Sequence, residues 1–222
     1  MIDLNPIFLT LKLALVTTTI LFFVSIPLAN WLAFRKTKLK TFLEVLVSMP
    51  LVLPPSVLGF YLLLAFSPSN GIGKVLEEWF GLRLAFSFSG LVVASIIFGL
   101  PFMVHPIQSG LSELPSVLKD ASYTLGKSKT ETLIRVLLPN IKTSLITGIA
   151  LTYAHTIGEF GVVLMIGGNI PDETRVASIA IYNEVETLHY HNANIYSLIL
   201  FGLTFSILLL VYSLKHRFKL AN

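Results

Sequence analysis

The sequence of 222 residues predicts an all-α polytopic membrane protein with five transmembrane helices. Three observations predict it. Charged residues make up 13% of the chain, where a soluble domain carries about 25%. Apolar residues make up 54%, and the mean hydropathy is +0.79. The charges are also clustered, leaving long stretches without any. A soluble chain of this composition could not cover its core with polar surface, so lipid is the expected solvent. Cysteine is absent, which excludes disulfides, thiolate metal sites and cysteine nucleophiles.

Residues 13–34, 45–73 and 84–112 carry no charge, 143–171 carry only Glu159, and 187–214 carry none. A spanning helix needs about 20 apolar residues, so each stretch holds one span and none holds two. The spans are expected at 8–34, 43–66, 86–109, 141–167 and 194–214. Arg35, Lys36, Lys38 and Lys40 follow the first, Lys119, Lys127, Lys129, Arg135 and Lys142 separate the third and fourth, and Lys215, Arg217 and Lys219 follow the fifth. The opposite side holds Lys74, Arg83 and Arg175, and Lys12 sits near the start of the first span. Basic residues stay cytoplasmic, so the N-terminus is expected outside and the C-terminus inside. The net charge of +4 then reflects cytoplasmic loops and not nucleic-acid binding. The first apolar run is too long for a signal peptide, and its basic cluster follows the run.

The outer connections are polar. Pro68, Asn70, Gly71 and Gly73 signal turns, and Val75, Leu76, Trp79 and Phe80 then alternate with Glu77 and Glu78 as an amphipathic stretch. Residues 167–194 read as a polar outer loop. His189 and His191 lie there, but no further carboxylate or cysteine completes a metal-ligand pattern.

The inner segment 111–139 is too polar to span. Leu114, Val117, Leu118, Ala121 and Leu125 recur on one helical face. Pro115 suits the first turn of that helix, Gly126 suits its left-handed C-terminal position, and Ser128–Glu131 has the capping-box form. A second short helix is expected to run to Pro139. The spacing therefore predicts two short helices joined at a glycine, with an apolar face that needs a soluble partner.

Within this segment, Asp120-Ala121-Ser122, then Gly126, then Val136-x-Leu138-Pro139 resembles the coupling motif of ABC importer permeases, with every spacing preserved. Asp120, Ser122 and Val136 are conservative departures. Met49 to Gly59 is similar to the second-span signature of molybdate permeases. Gly158-Glu159-Phe160-Gly161 and Gly168 to Arg175 are similar to stretches of molybdate, tungstate and sulfate permeases. The resemblance runs from about Pro6 to Tyr212. It implies one permease domain over residues 1–222 with the type I importer fold, working as a homodimer in a bacterial inner membrane. It further implies two cytoplasmic ATPase subunits and a periplasmic molybdate-binding protein as partners. ATP and magnesium would be held by the ATPase, since no Gly-x-x-x-x-Gly-Lys loop is present, and this chain would carry no catalytic residue, cofactor or metal. The family's usual arginine is replaced by His155, which is titratable.

Asp120, Ala121, Ser122, Gly126, Leu138 and Pro139 are thus the candidates for ATPase coupling. Candidates for the gate and translocation path are Pro54, Pro55, Ser56, Thr152, His155, Thr156 and Glu159. Glu159 is the only acid well inside a span, a costly placement that marks function by default. His155 and Glu159 stand at i and i+4 and are expected to face each other on a helix, either at the gate or dimer seam or, as the favoured reading, as a satisfied pair that tethers the fourth span. The prolines read equally as a bend shaping the path or a packing kink, and the hydroxyls as anion donors or as helix–helix contacts. A permease for another substrate such as an amino acid, an intramembrane enzyme and a structural membrane subunit are the alternatives. The enzyme lacks any His-Glu-x-x-His or Gly-x-Ser-x-Gly motif, and a structural subunit has no use for the spaced inner segment.

Overall fold

The computed structural model describes residues 2–69 and 71–220, with side chains described to Ser213. Asn70 of the expected outer turn and the side chains of Lys215, Arg217 and Lys219 lie outside the described residues. All regular structure among the described residues is helical. Three helices are long and apolar enough to cross a membrane alone: α1 (Asn5–Phe34), α5 (Phe88–Glu113) and the α12 stretch Tyr190–Ser213. They match the first, third and fifth expected spans. Two bent helix pairs raise the number of candidate spans to as many as five.

The second expected span is not one helix. α2 (Lys38–Val52) and α3 (Pro55–Phe66) meet at a bend of 114°. Pro54 and Pro55 cause it. Neither carries the N–H that would continue the helical ladder, and a residue before proline is pushed out of the α region. Leu53 and Pro54 both precede a proline, and both are extended, with ψ of 136° and 133°. The fourth expected span also breaks. α9 (Lys142–Gly158) ends at Glu159, which has φ −67° and ψ 131°, and α10 (Gly161–Gly167) resumes after Phe160. Glycine at both edges of the break weakens the local preference for helix.

α1 packs along α5 and α9, α5 also meets α2 and α10, and α3 lies on α10. Leu9, Leu13, Leu91, Ala94, Val162 and Ile166 form one buried cluster. Leu21, Leu32, Met103, Ile107, Leu137 and Ile141 form a second. On α1, Thr17 and Thr18 separate the two sets. α2 is held to α5 by polar links that the sequence reading missed: Gln108 Nε2 donates to Glu44 Oε1 at 2.6 Å, and Ser48 Oγ lies 3.2 Å from His105 Nε2.

The outer segment 167–194 corrects the expectation of a loop. It contains α11 (Ala177–Glu186), whose Ala177 and Ala180 are buried beside Tyr196 of α12, while Ile179 is buried in the first cluster. The Ala177 N–H donates to Thr10 Oγ1 at 2.7 Å, joining this helix to α1. The apolar positions 177, 180 and 181 already carried that helical spacing. The amphipathic outer stretch is α4 (Gly71–Phe80), and its Trp79 is exposed.

The α3–α10 contact depends on small residues. A Cβ added at Gly59 would stand 2.8 Å from Met165 Cβ and 3.2 Å from the Val162 backbone, whereas one at Gly202 meets nothing within 4 Å. Gly59→Ala is expected to lower stability by about 1–3 kcal/mol through overpacking. Gly202→Ala should be neutral or stabilising by up to about 1 kcal/mol, from helix propensity. Unfolding of detergent-solubilised protein by rising dodecyl sulfate measures both, and an unchanged midpoint for Gly59→Ala would refute the close approach.

Candidate functional site

The sequence-expected site residues gather in two places. The first is where the two helix breaks touch. A Cβ at Gly161 would lie 2.8 Å from Pro55 Cβ and 3.4 Å from the Ser56 amide nitrogen, so the α9–α10 break rests directly on the start of α3. Pro54, Pro55 and Ser56 are exposed on this face, as are Leu51, Val52, Val57 and Phe60 around them.

Glu159 occupies the break but turns inward. It is 4% exposed, and its Oε2 accepts from Ser95 Oγ of α5 at 2.9 Å. Its Oε1 has no hydrogen-bond partner. Its carbonyl, freed by the break, accepts from Ser178 Oγ of α11 at 2.6 Å. Neither serine was singled out in the sequence, because each is separated from Glu159 in the chain and only the fold brings them together.

His155 and Glu159 do not form the expected facing pair. The helix ends between them, so the i, i+4 relation lapses. The His155 ring stacks on Phe102, with centroids 3.9 Å apart, and lies against Phe98 at 4.9 Å. Its Nε2 is buried without a partner. Thr152 and Thr156 are likewise inside the chain. The Thr156 hydroxyl donates to the Thr152 carbonyl at 2.9 Å, while the Thr152 hydroxyl has no partner. Of the three hydroxyl candidates only Ser56 is exposed. In the outer segment, His189 Nδ1 lies 3.1 Å from Thr187 Oγ1 and 3.4 Å from Glu184 Oε2, contacts local to its own turn.

The second place is the inner segment, which forms the two short helices expected. α6 (Ser116–Thr124) has Pro115 at its N-cap, and Gly126 follows with φ +76°. Ser128 caps α7 (Lys129–Thr132) by accepting from the Glu131 N–H at 3.1 Å. The reciprocal half of the capping box is absent. Glu131 instead accepts from Lys127 at 2.7 Å and Arg135 at 2.9 Å. The Lys127 hydrogen bond foremost holds its carboxyl below the usual carboxylate range. The helix continues through a π turn (Leu133–Leu137) into α8 (Leu138–Asn140). The π turn lies just before Pro139, which has no N–H to return to the Arg135 carbonyl. A bend of 81° at buried Ile141 then leads into α9.

Ala121 and Ser122 lie on different sides of α6, the first exposed and the second buried. Ser122 is 5% exposed, and its Oγ lies 2.9 Å from Thr132 Oγ1, joining α6 to α7. Val117, Ala121 and Leu125 share the outward face, and Val117 and Leu125 are 70% and 79% exposed. Asp120 and Pro139 are exposed, and Leu138 packs partly into the second apolar cluster.

Residues 25–219 match the family described as binding-protein-dependent transport system inner membrane component. The molybdenum transport system permease protein ModB of Azotobacter vinelandii is 43% identical over 220 residues, covering 98% of this chain and 96% of that one. ModB of Escherichia coli K12 is 36% identical, covering 71% of this chain and 69% of its own. A probable sulfate permease protein, cysT, of Zygnema circumcarinatum is 33% identical, covering 92% of this chain and 69% of its own. Among solved structures, a bacterial ABC transporter importing alginate aligns with TM-score 0.79 at 17% identity, covering 96% of this chain and 79% of that chain. The MetNI methionine ABC transporter in an inward-facing conformation aligns with TM-score 0.75 at 17% identity, covering 96% and 94%.

Ser122→Ala removes one side of the buried hydroxyl pair and leaves Thr132 without a partner, a change of about 1–3 kcal/mol. Because the pair joins two short helices, the loss is expected locally, as faster amide hydrogen exchange over 116–124 with exchange in α5 unchanged. Val117→Ala, at an exposed position, should leave both regions unchanged. Protection of 116–124 that survives Ser122→Ala would exclude this hydrogen bond as the tie.

Proposed function

The chain belongs to the family of binding-protein-dependent transport system inner membrane components, and we propose on that footing that it is the permease subunit of an ATP-driven molybdate importer. The observation that carries the reading is the inner segment. Its two short helices are bolted together on one side and present Val117, Ala121 and Leu125 to solvent on the other. A chain that acted alone would have no reason to keep that stripe uncovered. The small Ala121 lets a partner surface approach closely, and an ATPase subunit is the partner the family supplies.

In this reading five spans cross a bacterial inner membrane, with α2 and α3 together forming the second crossing and α9 and α10 together the fourth. The N-terminus is periplasmic, and segment 111–139 is cytoplasmic with the C-terminus. Two copies enclose the path, two ATPase subunits hold ATP and magnesium, and a periplasmic binding protein delivers molybdate. The exposed apolar surface of α2 and α3 around Pro54, Pro55 and Ser56 then faces the path or the second copy. Tungstate and sulfate are the competing cargoes, sulfate because of the related sulfate permeases.

Coupling follows from rigidity. α6 is fixed to α7 through Ser122, and α7 runs without a gap through the π turn to Asn140. Ile141 is buried, and a Cβ on Gly110 of α5 would lie 3.3 Å from its Cβ, so the bend is held against α5. Displacement of α6 by an ATPase therefore turns a lever whose far arm is α9. That arm ends at Glu159, where the break meets Pro55. Gly126 permits the tight return between α6 and α7, since a residue with Cβ at its φ costs roughly 1–2 kcal/mol.

The test is ATPase stimulation in the reconstituted complex by binding protein loaded with molybdate, tungstate or sulfate. Molybdate is expected to stimulate most, and equal stimulation by empty binding protein would overturn the importer reading. Ala121→Asp places an unpaired charge in the docking contact and should abolish co-purification of the ATPase, while membrane insertion persists. For topology, Asp172→Cys should react with an impermeant maleimide from the periplasm, and labelling from the cytoplasm alone would refute the orientation.

A further inference from the structure

A second surface of α6 is occupied neither by the Ser122–Thr132 tie nor by the stripe at Val117, Ala121 and Leu125. Lys119 and Tyr123 lie two residues on from Val117 and Ala121, about 200° around the helix, and so project from the opposite side. There they meet the end of α1 and the start of α7 around a pocket of about 450 Å³. Arg35, Lys119 and Lys129 supply three cationic groups from three elements, and no carboxylate lines it. Among the described residues none of the three is in an ion pair, although Lys127 and Arg135 close by are both neutralised by Glu131. Lys119 is partly buried with its Nζ 4.3 Å from the Phe34 ring centroid. Trp31 and Leu137 complete an apolar wall below the charges.

We propose that this pocket binds the phosphate group of an anionic phospholipid, seated between the end of α1 and the α6–α7 turn. A protein surface facing only water has no need of an apolar wall beneath three cations, whereas a headgroup followed by its glycerol and acyl chains matches that order. Trp31 lies in the last turn of an apolar spanning helix, the level at which tryptophan meets headgroups. Basic pockets beside membrane helices on the cytoplasmic side suit anionic headgroups, each Lys or Arg contributing roughly a fivefold preference. The pocket also faces away from the docking stripe, so a lipid and an ATPase could be held by one short helix at once. The lipid would brace α6 and α7 against α1 and make coupling depend on membrane composition. The inference rests on the cytoplasmic placement of these segments, which labelling of Asp172→Cys decides separately.

Trp31 reports on the site once Trp79, the second of the two tryptophans, is replaced. Full-length Trp79→Phe protein is reconstituted in phosphatidylcholine vesicles containing either brominated phosphatidylglycerol or brominated phosphatidylcholine. Trp31 should be quenched at a mole fraction of the anionic lipid lower by on the order of a hundredfold at low salt, the product of three fivefold contributions. Arg35→Gln, Lys119→Gln and Lys129→Gln should each reduce that preference roughly fivefold at low salt, and added salt should weaken it. Full-length Trp31→Phe protein, in which Trp79 reports, should show no anionic preference. Equal quenching by the two lipids, or a preference indifferent to all three substitutions, overturns the proposal. Displacement of the brominated anionic lipid by millimolar inorganic phosphate overturns the lipid as the source and leaves a soluble-anion site. Loss of the preference on adding the partner ATPase overturns it in favour of a protein contact.

Discussion

The structure depends on sealing two broken helices against each other. In hydrocarbon a freed carbonyl or amide has no water to turn to, so irregular backbone is tolerated only where it is buried in protein or lines a cavity. Pro54 and Pro55 remove two adjacent donors in the middle of an apolar stretch, and the chain cannot remain a single helix there. The second break, at Glu159 and Phe160, lies beside the first. Gly161 allows Pro55 to approach, Gly59 allows Met165 to approach, and Ser178 takes up the carbonyl that the break at Glu159 releases. The breaks are therefore one feature made by two segments, and neither segment would be stable there alone.

That arrangement accounts for the orientation of Glu159. A carboxyl turned outward at the break would place a charge beside the exposed prolines. Here it is directed into the bundle, where Ser95 of α5 holds one oxygen, and the exposed face of the break is left to Pro55 and Ser56. His155 is similarly withdrawn between Phe98 and Phe102. The polar groups of α9 thus organise the interior of the subunit, while the surface beside the break is mainly apolar, with the hydroxyls of Ser56 and Tyr61 exposed on it.

Much of this was legible in the sequence because composition and spacing are one-dimensional. The charge-free runs located α1, α5 and α12. The inner segment was readable residue by residue, since Pro115, Gly126 and Ser128 act through local backbone geometry, and each adopts the conformation its chemistry favours. The breaks were less legible. Adjacent prolines announced a disturbance, but a 114° bend depends on what packs inside the elbow. The pairing of His155 with Glu159 failed because it presumed a continuous helix across Gly158. Ser95 and Ser178 carried no local signal at all, being 64 and 19 residues from their partner. α11 was missed because its polar flanks masked the spacing of Ala177, Ala180 and Ile181.

A helix of nine residues, α6, presents three chemically different sides, and its periodicity explains how. Successive positions step about 100° around the axis, so Val117, Ala121 and Leu125 stack on one side. Ser122, one step from Ala121, points to α7, and Lys119 and Tyr123 point to the end of α1. Each side has the chemistry its neighbour demands. The outward side is apolar and small at its centre, the side toward α7 is a hydroxyl that can be satisfied when buried, and the third is cationic beside aromatic rings. The consequence is mechanical. A helix held on two sides cannot roll freely when pushed on the third, so in the proposed complex a force applied at Ala121 would pass into α7 and, through the buried bend at Ile141, into α9. Nine residues are too few to be stable as an isolated helix; the same contacts that keep α6 folded are the ones that make it a lever.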